Sequence, residues 1–265
     1  MAETVTTRRG ASNGAELRIE LNRPDSMNAW DKQLGLDLLA AVQEAAEDDG
    51  VRSVTITGAG RGFSSGADLK AGFDPTPDGK PDVGTALRER YHPIITTIRT
   101  MPRPVLAAVN GPAVGIGCSL ALACDLVVAR ESAYFLLAFV NIGLVPDGGS
   151  SLFVPARVGH ARAAEMAMLG ERIPAMQALE WGLINRVAAD DAFAAEIDAL
   201  AEQLATGPTR SYAGAKEQLN AWIYTGMDDQ LELEARLQQE MAGSGDFMEG
   251  VQAFLGKRKP EFKGS

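Results

Sequence analysis

The sequence predicts an α/β fold in which strands alternate with helices over the first two-thirds and helices alone fill the remainder. Three observations carry this. Alternating or β-branched runs recur between amphipathic ones. Two glycine-rich segments stand where a strand hands over to a helix. From about Asp190 onward every segment has helical periodicity. At 265 residues the chain is long enough for one large domain or a core with a smaller appendage. The expected division is a core over 1–200 and a helical region over 201–265.

Taken in order, Glu16–Leu21 (ELRIEL) alternates polar and apolar and reads as a strand. Asn28 is expected to cap a helix running to about Asp48, with Asp31 as its capping-box partner and Leu34, Leu38, Leu39 and Val42 along one face. Val51–Thr57 is a β-branched strand ended by Gly58 and Gly60, and Val105–Asn110 is a strand buried on both faces. Leu126–Ala129 and Ala133–Leu137 read as two more. Between Ala71 and Thr85, AGFDPTPDGKPDVGT is rich in Pro, Gly and Asp and is expected to be a mobile loop. Helices are expected near Phe193–Ala205, Ser211–Asn220, Asp228–Ala242 and Phe247–Leu255. Strands separated by helices imply βαβ crossovers around a buried core.

Apolar residues make up 46% and charged residues 23%, which excludes a mostly disordered chain. The net charge of −10 repels phosphate backbones, so nucleic acid is not expected as a partner. An anionic ligand must then be met by local basic groups or backbone N–H groups. The first residues lack the apolar segment of a secretory signal, and the apolar run Val105–Ala129 is interrupted by Asn110, Gly111, Pro112, Gly115, Gly117 and Asp125, so no membrane span is expected. Two cysteines, Cys118 and Cys124, and two histidines, His92 and His160, give no disulfide framework and no metal site. The cytoplasm is the expected compartment.

The glycine-rich segments are Arg61–Lys70 (RGFSSGADLK) and Asn110–Leu126 (NGPAVGIGCSLALACDL). Glycine at such corners lets a ligand approach the backbone, and a helix N-terminus offers unpaired N–H donors. Two corners can supply two N–H groups to one oxygen, which is an oxyanion hole. Three other readings compete. Gly62–Gly66 matches the G-x-S-x-G nucleophile elbow, but Gly58 to Gly62 separate it from its strand and no histidine follows His160. Gly115-Ile116-Gly117 is a weak dinucleotide fingerprint, with Leu120 in place of the third glycine. The glycines can also serve tight helix packing alone.

Taken together, FSSGADLK, RPVLAAVNGPAVGIGCSLALACDLVVA, Ile142–Gly149 (IGLVPDGG) and Ala178–Val187 (ALEWGLINRV) resemble the enoyl-CoA hydratase/isomerase (crotonase) superfamily, from about Leu17 to the tail AFLGKRKPEFKGS. The resemblance implies a spiral of ββα repeats, a C-terminal helical trimerisation region, a homotrimer or homohexamer, and coenzyme A thioester substrates with no permanently bound cofactor. By position it implies an oxyanion hole from the N–H groups of Ala67 and Ile116. Ser65, Asp68, Leu69 and Lys70 would lie along the adenine and pantetheine groove, and Gly115, Phe139 and His92 would also contact substrate.

Hydratases of the superfamily use two glutamates, one acid and one base. The matching positions here are Ser119 and Phe139, neither of which titrates, so efficient hydration is not expected. Asp147, in GLVPDGG, stands where isomerases of the superfamily carry a proton-shuttling acid; the alternative is an N-cap for the helix from Ser150. The features AF…GLVPDGG, PARVGHARA, ALEWGLINRV and GVQAFLGKRKPEF are most similar to the branch that holds the ring 1,2-epoxyphenylacetyl-CoA isomerase. Aryl-CoA dehalogenases of the superfamily carry a histidine at the His92 position and use the aspartate as nucleophile, which leaves dehalogenation or thioester hydrolysis as the second reading. A hydratase with atypical catalytic groups is a third reading, and members without catalysis leave a binding or scaffold role as a fourth. The basic run Lys257, Arg258 and Lys259 reads as a solvated terminus or a support for coenzyme A phosphates.

Overall fold

A computed structural model describes residues 3–265. Its strands and helices, in chain order, begin with β1 (Val5–Gly10), β2 (Glu16–Leu21), α1 (Lys32–Glu47) and β3 (Ser53–Gly58). A bent helical stretch follows: α2 (Val83–Ala86), a π-turn at Leu87–Tyr91, and α3 (His92–Thr100). Next come β4 (Val105–Val109), β5 (Ala113–Val114), α4 (Ile116–Ala123), β6 (Leu126–Arg130) and β7 (Tyr134–Leu136). Then follow α5 (Ser150–Leu169), β8 (Ile173–Pro174), α6 (Ala175–Glu180) and β9 (Arg186–Ala188). The chain closes with α7 (Phe193–Thr206), α8 (Thr209–Ile223), α9 (Met227–Ala242) and α10 (Gly245–Leu255).

The main sheet has the order β1-β2-β3-β4-β6-β9, parallel except for the β1–β2 hairpin, and β5-β7-β8 form a second, smaller sheet. Successive turns of the chain add a strand to the main sheet and an extended piece to the smaller layer, where bridges Trp30–Ala67 and Ser64–Ala113 continue the stack. This is the expected spiral of ββα repeats. β4 explains why the sheet is buried on both faces: Val105, Ala107 and Val109 point into the main core, while Leu106 and Ala108 meet Phe193, Ile197, Leu200 and Leu204 of α7.

One local expectation is corrected, and one strand is added. The helix cap is Asp31, whose Oδ1 accepts from the Leu34 N–H at 2.8 Å, and not Asn28. Asn28 is fully buried with φ 56°, a left-handed conformation that asparagine tolerates. Its amide donates to the carbonyls of Ala59 (3.0 Å), Gly62 (2.8 Å) and Phe63 (3.3 Å) and so pins the first glycine-rich corner. Strand β1, absent from the sequence reading because TTRRG offers no apolar alternation, forms by pairing with β2 from Val5–Leu21 to Gly10–Glu16.

Candidate active site

The first corner runs off β3 into residues 63–68. The Trp30 N–H donates to Gly66 O at 2.8 Å and the Asp68 N–H to Trp30 O at 2.9 Å. In a parallel bridge the residue between those two points its N–H the other way, so the Ala67 N–H is left facing the cavity beyond. The second corner joins β5 to α4. Ile116 is the first residue of that helix, where an N–H has no intrahelical acceptor. Gly66 (φ +91°) and Gly115 (φ +54°) hold the corners against each other; a Cβ on Gly66 would lie 3.0 Å from Val114 O and 3.8 Å from the Gly115 Cα. Both positive φ values and the close approach require glycine. The two corners therefore stand side by side, and Ala67 and Ile116 line the same cavity.

The G-x-S-x-G reading fails on geometry. Ser64 is fully buried, and its hydroxyl donates to Asn28 O at 2.9 Å while accepting from the Gly66 N–H at 3.2 Å. Cys118 and Cys124 are buried and their thiols are pushed up to about 12 by desolvation, so neither is a nucleophile.

Ala67, Ile116, Gly115, Ser65, Leu69, Phe139 and Asp147 line one cavity of about 320 Å³. Its walls are mostly apolar, with Phe73, Leu136 and Leu144 among them, and Phe254 of α10 closes one side. α10 crosses so tightly that a Cβ on Gly250 would lie 2.6 Å from Ile142. Asp68 and Lys70 lie outside, in an adjoining groove shared with Ser65, Leu69 and Phe254. Asp68 is paired with Arg23 at 3.0 Å. His92 lines neither space. It is buried on α3, with Arg88 and Glu232 as the charges that act on it, and desolvation holds its pKa down to about 4.

Asp147 is 5% exposed and does not cap α5, whose N-cap is Gly149 with no side-chain bond. Instead, its main-chain carbonyl accepts from Ser119 Oγ at 2.7 Å and Ser150 Oγ at 2.8 Å. Its Oδ2 accepts from Gln238 Nε2 at 2.5 Å, while among the described residues Oδ1 has no partner. Oδ1 is thus the carboxylate oxygen that no protein donor holds, and it is itself buried. Desolvation, then the charge of Glu234, pushes the Asp147 pKa up to about 8, against the lowering effect of the Gln238 bond.

A clasp on α9 holds this loop, and the sequence reading missed it. Gln230 donates to Ser151 Oγ at 2.9 Å. The Glu234 carboxylate accepts from the N–H groups of Gly149 (2.8 Å) and Ser151 (3.1 Å), and so caps α5 from outside. Gln238 takes Asp147 with one end and the Val145 N–H, at 3.3 Å, with the other. These are three residues at spacing four on one helix face. Polar residues recurring in register with buried Leu231, Ala235 and Ala242 were the available signal. Ser119, at a hydratase-glutamate position, is the other missed contributor: it fastens the Asp147 loop and does not titrate.

Among the described residues no set of three His, Cys, Asp or Glu is arranged for a metal ion, and no helix is long and apolar enough to cross a membrane. The family model for enoyl-CoA hydratase/isomerase matches residues 12–265. The chain is 40% identical over 249 residues to the 1,2-epoxyphenylacetyl-CoA isomerase of Escherichia coli K12, covering 94% of this chain and 95% of that protein. It is 45% identical over 246 residues to a probable enoyl-CoA hydratase of Rhodobacter capsulatus, covering 93% of each. Its fold matches the crystal structure of an enoyl-CoA hydratase from Mycobacterium avium subsp. paratuberculosis K-10 with a TM-score of 0.88, 40% identity and 98% of both chains covered. With that family model over residues 12–265 and these relatives, the chain belongs to the enoyl-CoA hydratase/isomerase family.

Proposed function

We propose that the chain is an acyl-CoA isomerase that moves a double bond, or rearranges a ring epoxide, through a thioester enolate. The observation that carries this is Asp147, a buried carboxylate with one oxygen unpartnered among the described residues, lining an apolar cavity together with Ala67 and Ile116 of the two corners. The thioester carbonyl accepts from Ala67 and Ile116. Asp147 removes a proton from the carbon next to that carbonyl, the electrons move onto the oxygen, and the N–H donors stabilise the resulting charge. The same carboxyl returns the proton two carbons further on, so the double bond shifts with no net gain or loss of atoms. A pKa near 8 makes Asp147 a stronger base than an exposed aspartate and keeps it close to the working pH.

Hydration needs a second group to activate water. Phe139 and the buried, hydrogen-bonded Ser119 leave Asp147 alone, which favours isomerisation. His92, outside the cavity, does not favour dehalogenation with histidine as base. Coenzyme A arrives as part of the substrate, its pantetheine and adenine running along the groove of Ser65, Asp68, Leu69 and Lys70, and no resident cofactor enters the mechanism. The exposed apolar stripe of Leu219, Trp222 and Ile223 on α8, with Trp222 at 85% exposure, supports assembly into a homotrimer or homohexamer. The test gives the protein a 3-enoyl-CoA and a 2-enoyl-CoA and follows products by chromatography and mass. Positional isomers without hydroxyacyl product support the reading; rapid hydration overturns it.

A further inference from the structure

The cavity holds a polar group that the proposed reaction does not use. Tyr91 ends the π-turn Leu87–Tyr91, in which the His92 N–H reaches back to Leu87 O. The inserted residue re-phases the helix: Tyr91 lines the cavity while the neighbouring His92 does not. The Tyr91 ring is 8% exposed and fixed edge-on against Trp30, with centroids 5.1 Å apart and an interplanar angle of 84°. Ala67, Phe73 and Tyr91 form a shared wall between this cavity and a more polar recess of about 460 Å³ lined by Asp31, Lys32 and Arg90.

Most other polar side chains around the cavity are held by the protein. Ser65 Oγ donates to Ser26 O at 3.0 Å, and Asn141 Nδ2 to Gly170 O at 2.9 Å. Gln238 is held at both ends, as described above, and Arg258 is paired with Glu249, its closer contact at 2.5 Å. The Tyr91 hydroxyl makes no hydrogen bond to any of the described residues, and on the same cavity the buried Asp147 Oδ1 is also without a partner. A purely hydrocarbon ligand would seal this donor in without an acceptor, which is costly.

We propose that the Tyr91 hydroxyl selects acyl groups that carry an oxygen atom (epoxide, ether, hydroxyl or ring carbonyl), by donating a hydrogen bond to it. The proposal rests on reading the cavity as the acyl site. Burial and the neighbouring Asp147 charge both favour the neutral phenol, so Tyr91 acts as a donor while Asp147 handles the proton. A site built to bond an oxygen discriminates against the analogue that lacks it.

The test measures, by calorimetric titration, binding of phenylacetyl-CoA and its 2-, 3- and 4-hydroxy derivatives to the wild type and to Tyr91→Phe, which keeps the ring against Trp30. The wild type is expected to bind at least one hydroxylated thioester about tenfold more tightly than phenylacetyl-CoA. Tyr91→Phe is expected to lose that preference while binding phenylacetyl-CoA within about twofold of wild type. A preference that survives in Tyr91→Phe overturns the proposal, as does a wild type with no preference. Equal loss of all four thioesters in the variant also overturns it, because the ring and not the hydroxyl would then matter. A wild type that binds none of the four overturns the acyl-site reading itself, and this proposal with it.

Discussion

Replacing Gln238 with leucine removes the only side-chain donor to the Asp147 carboxylate among the described residues and puts an apolar side chain of similar size in its place on the cavity wall. A hydrogen bond to a charged group contributes about 1.5–3 kcal/mol. At about 1.4 kcal/mol per pKa unit, its loss raises the Asp147 pKa from about 8 by a further one to two units, since the Gln238 bond lowers it now. At pH 7.5 a carboxyl with a pKa of about 8 is roughly one-quarter ionised; with a pKa of about 9 to 10 the ionised share falls to roughly 3% to 0.3%. If ionised Asp147 is the base, kcat/KM at that pH falls by about eight- to eightyfold. The assay is the rate of 3-enoyl-CoA isomerisation from pH 6 to 9.5. The rising limb should move to higher pH, and the loss should be greatest at low pH. An unmoved limb with a uniform loss would refute the reasoning, since it would mean that Gln238 supports only the loop through Val145.

Three more predictions follow from the same geometry. Ile116→Pro keeps a residue that fits the first position of a helix but removes its N–H; kcat should fall about a hundredfold, and a loss under about fivefold would take Ile116 out of the oxyanion hole. Between its unfolded value near 3.8 and its folded value of about 8, Asp147 keeps a proton that the unfolded chain has lost, so stability falls as pH rises through that window. The Tm advantage of Asp147→Asn over wild type should therefore grow from pH 5 to pH 8.5 by scanning fluorimetry, and an advantage that shrinks would contradict the raised pKa. Buried Lys216 ties α8 to the core through Ile98 O (2.6 Å), Arg103 O (3.2 Å) and Asp125 Oδ2 (2.8 Å). Lys216→Met should cost about 3 kcal/mol in chemical denaturation with kcat/KM unchanged, and a cost under about 1 kcal/mol would make that network dispensable.

The glycine corners and Asp147 were legible because their constraints are local. Gly66 and Gly115 need positive φ, and Asp147 is an acid set among Val145, Pro146 and Gly148 with no charged neighbour in its loop. Asn28 misled because asparagine caps helices and also tolerates left-handed turns, and only the three carbonyls it meets from residues 59–63 decide between them. Gln238 and Glu234 stayed hidden because they lie 91 and 85 residues from their partners Asp147 and Gly149. Tyr91 and His92 were beyond sequence phase altogether. An uninterrupted helical count gives no sign of the π-turn that brings Tyr91 to the cavity and leaves its neighbour His92 off it.

The most direct test of the account compares wild type and Asp147→Asn on one 3-enoyl-CoA, measuring turnover by product chromatography and thioester affinity by calorimetry. The account predicts turnover at least about a thousandfold lower, with the dissociation constant within about threefold of wild type because the corner N–H groups and the groove remain. Turnover retained in Asp147→Asn would contradict the central claim that this buried aspartate moves the proton.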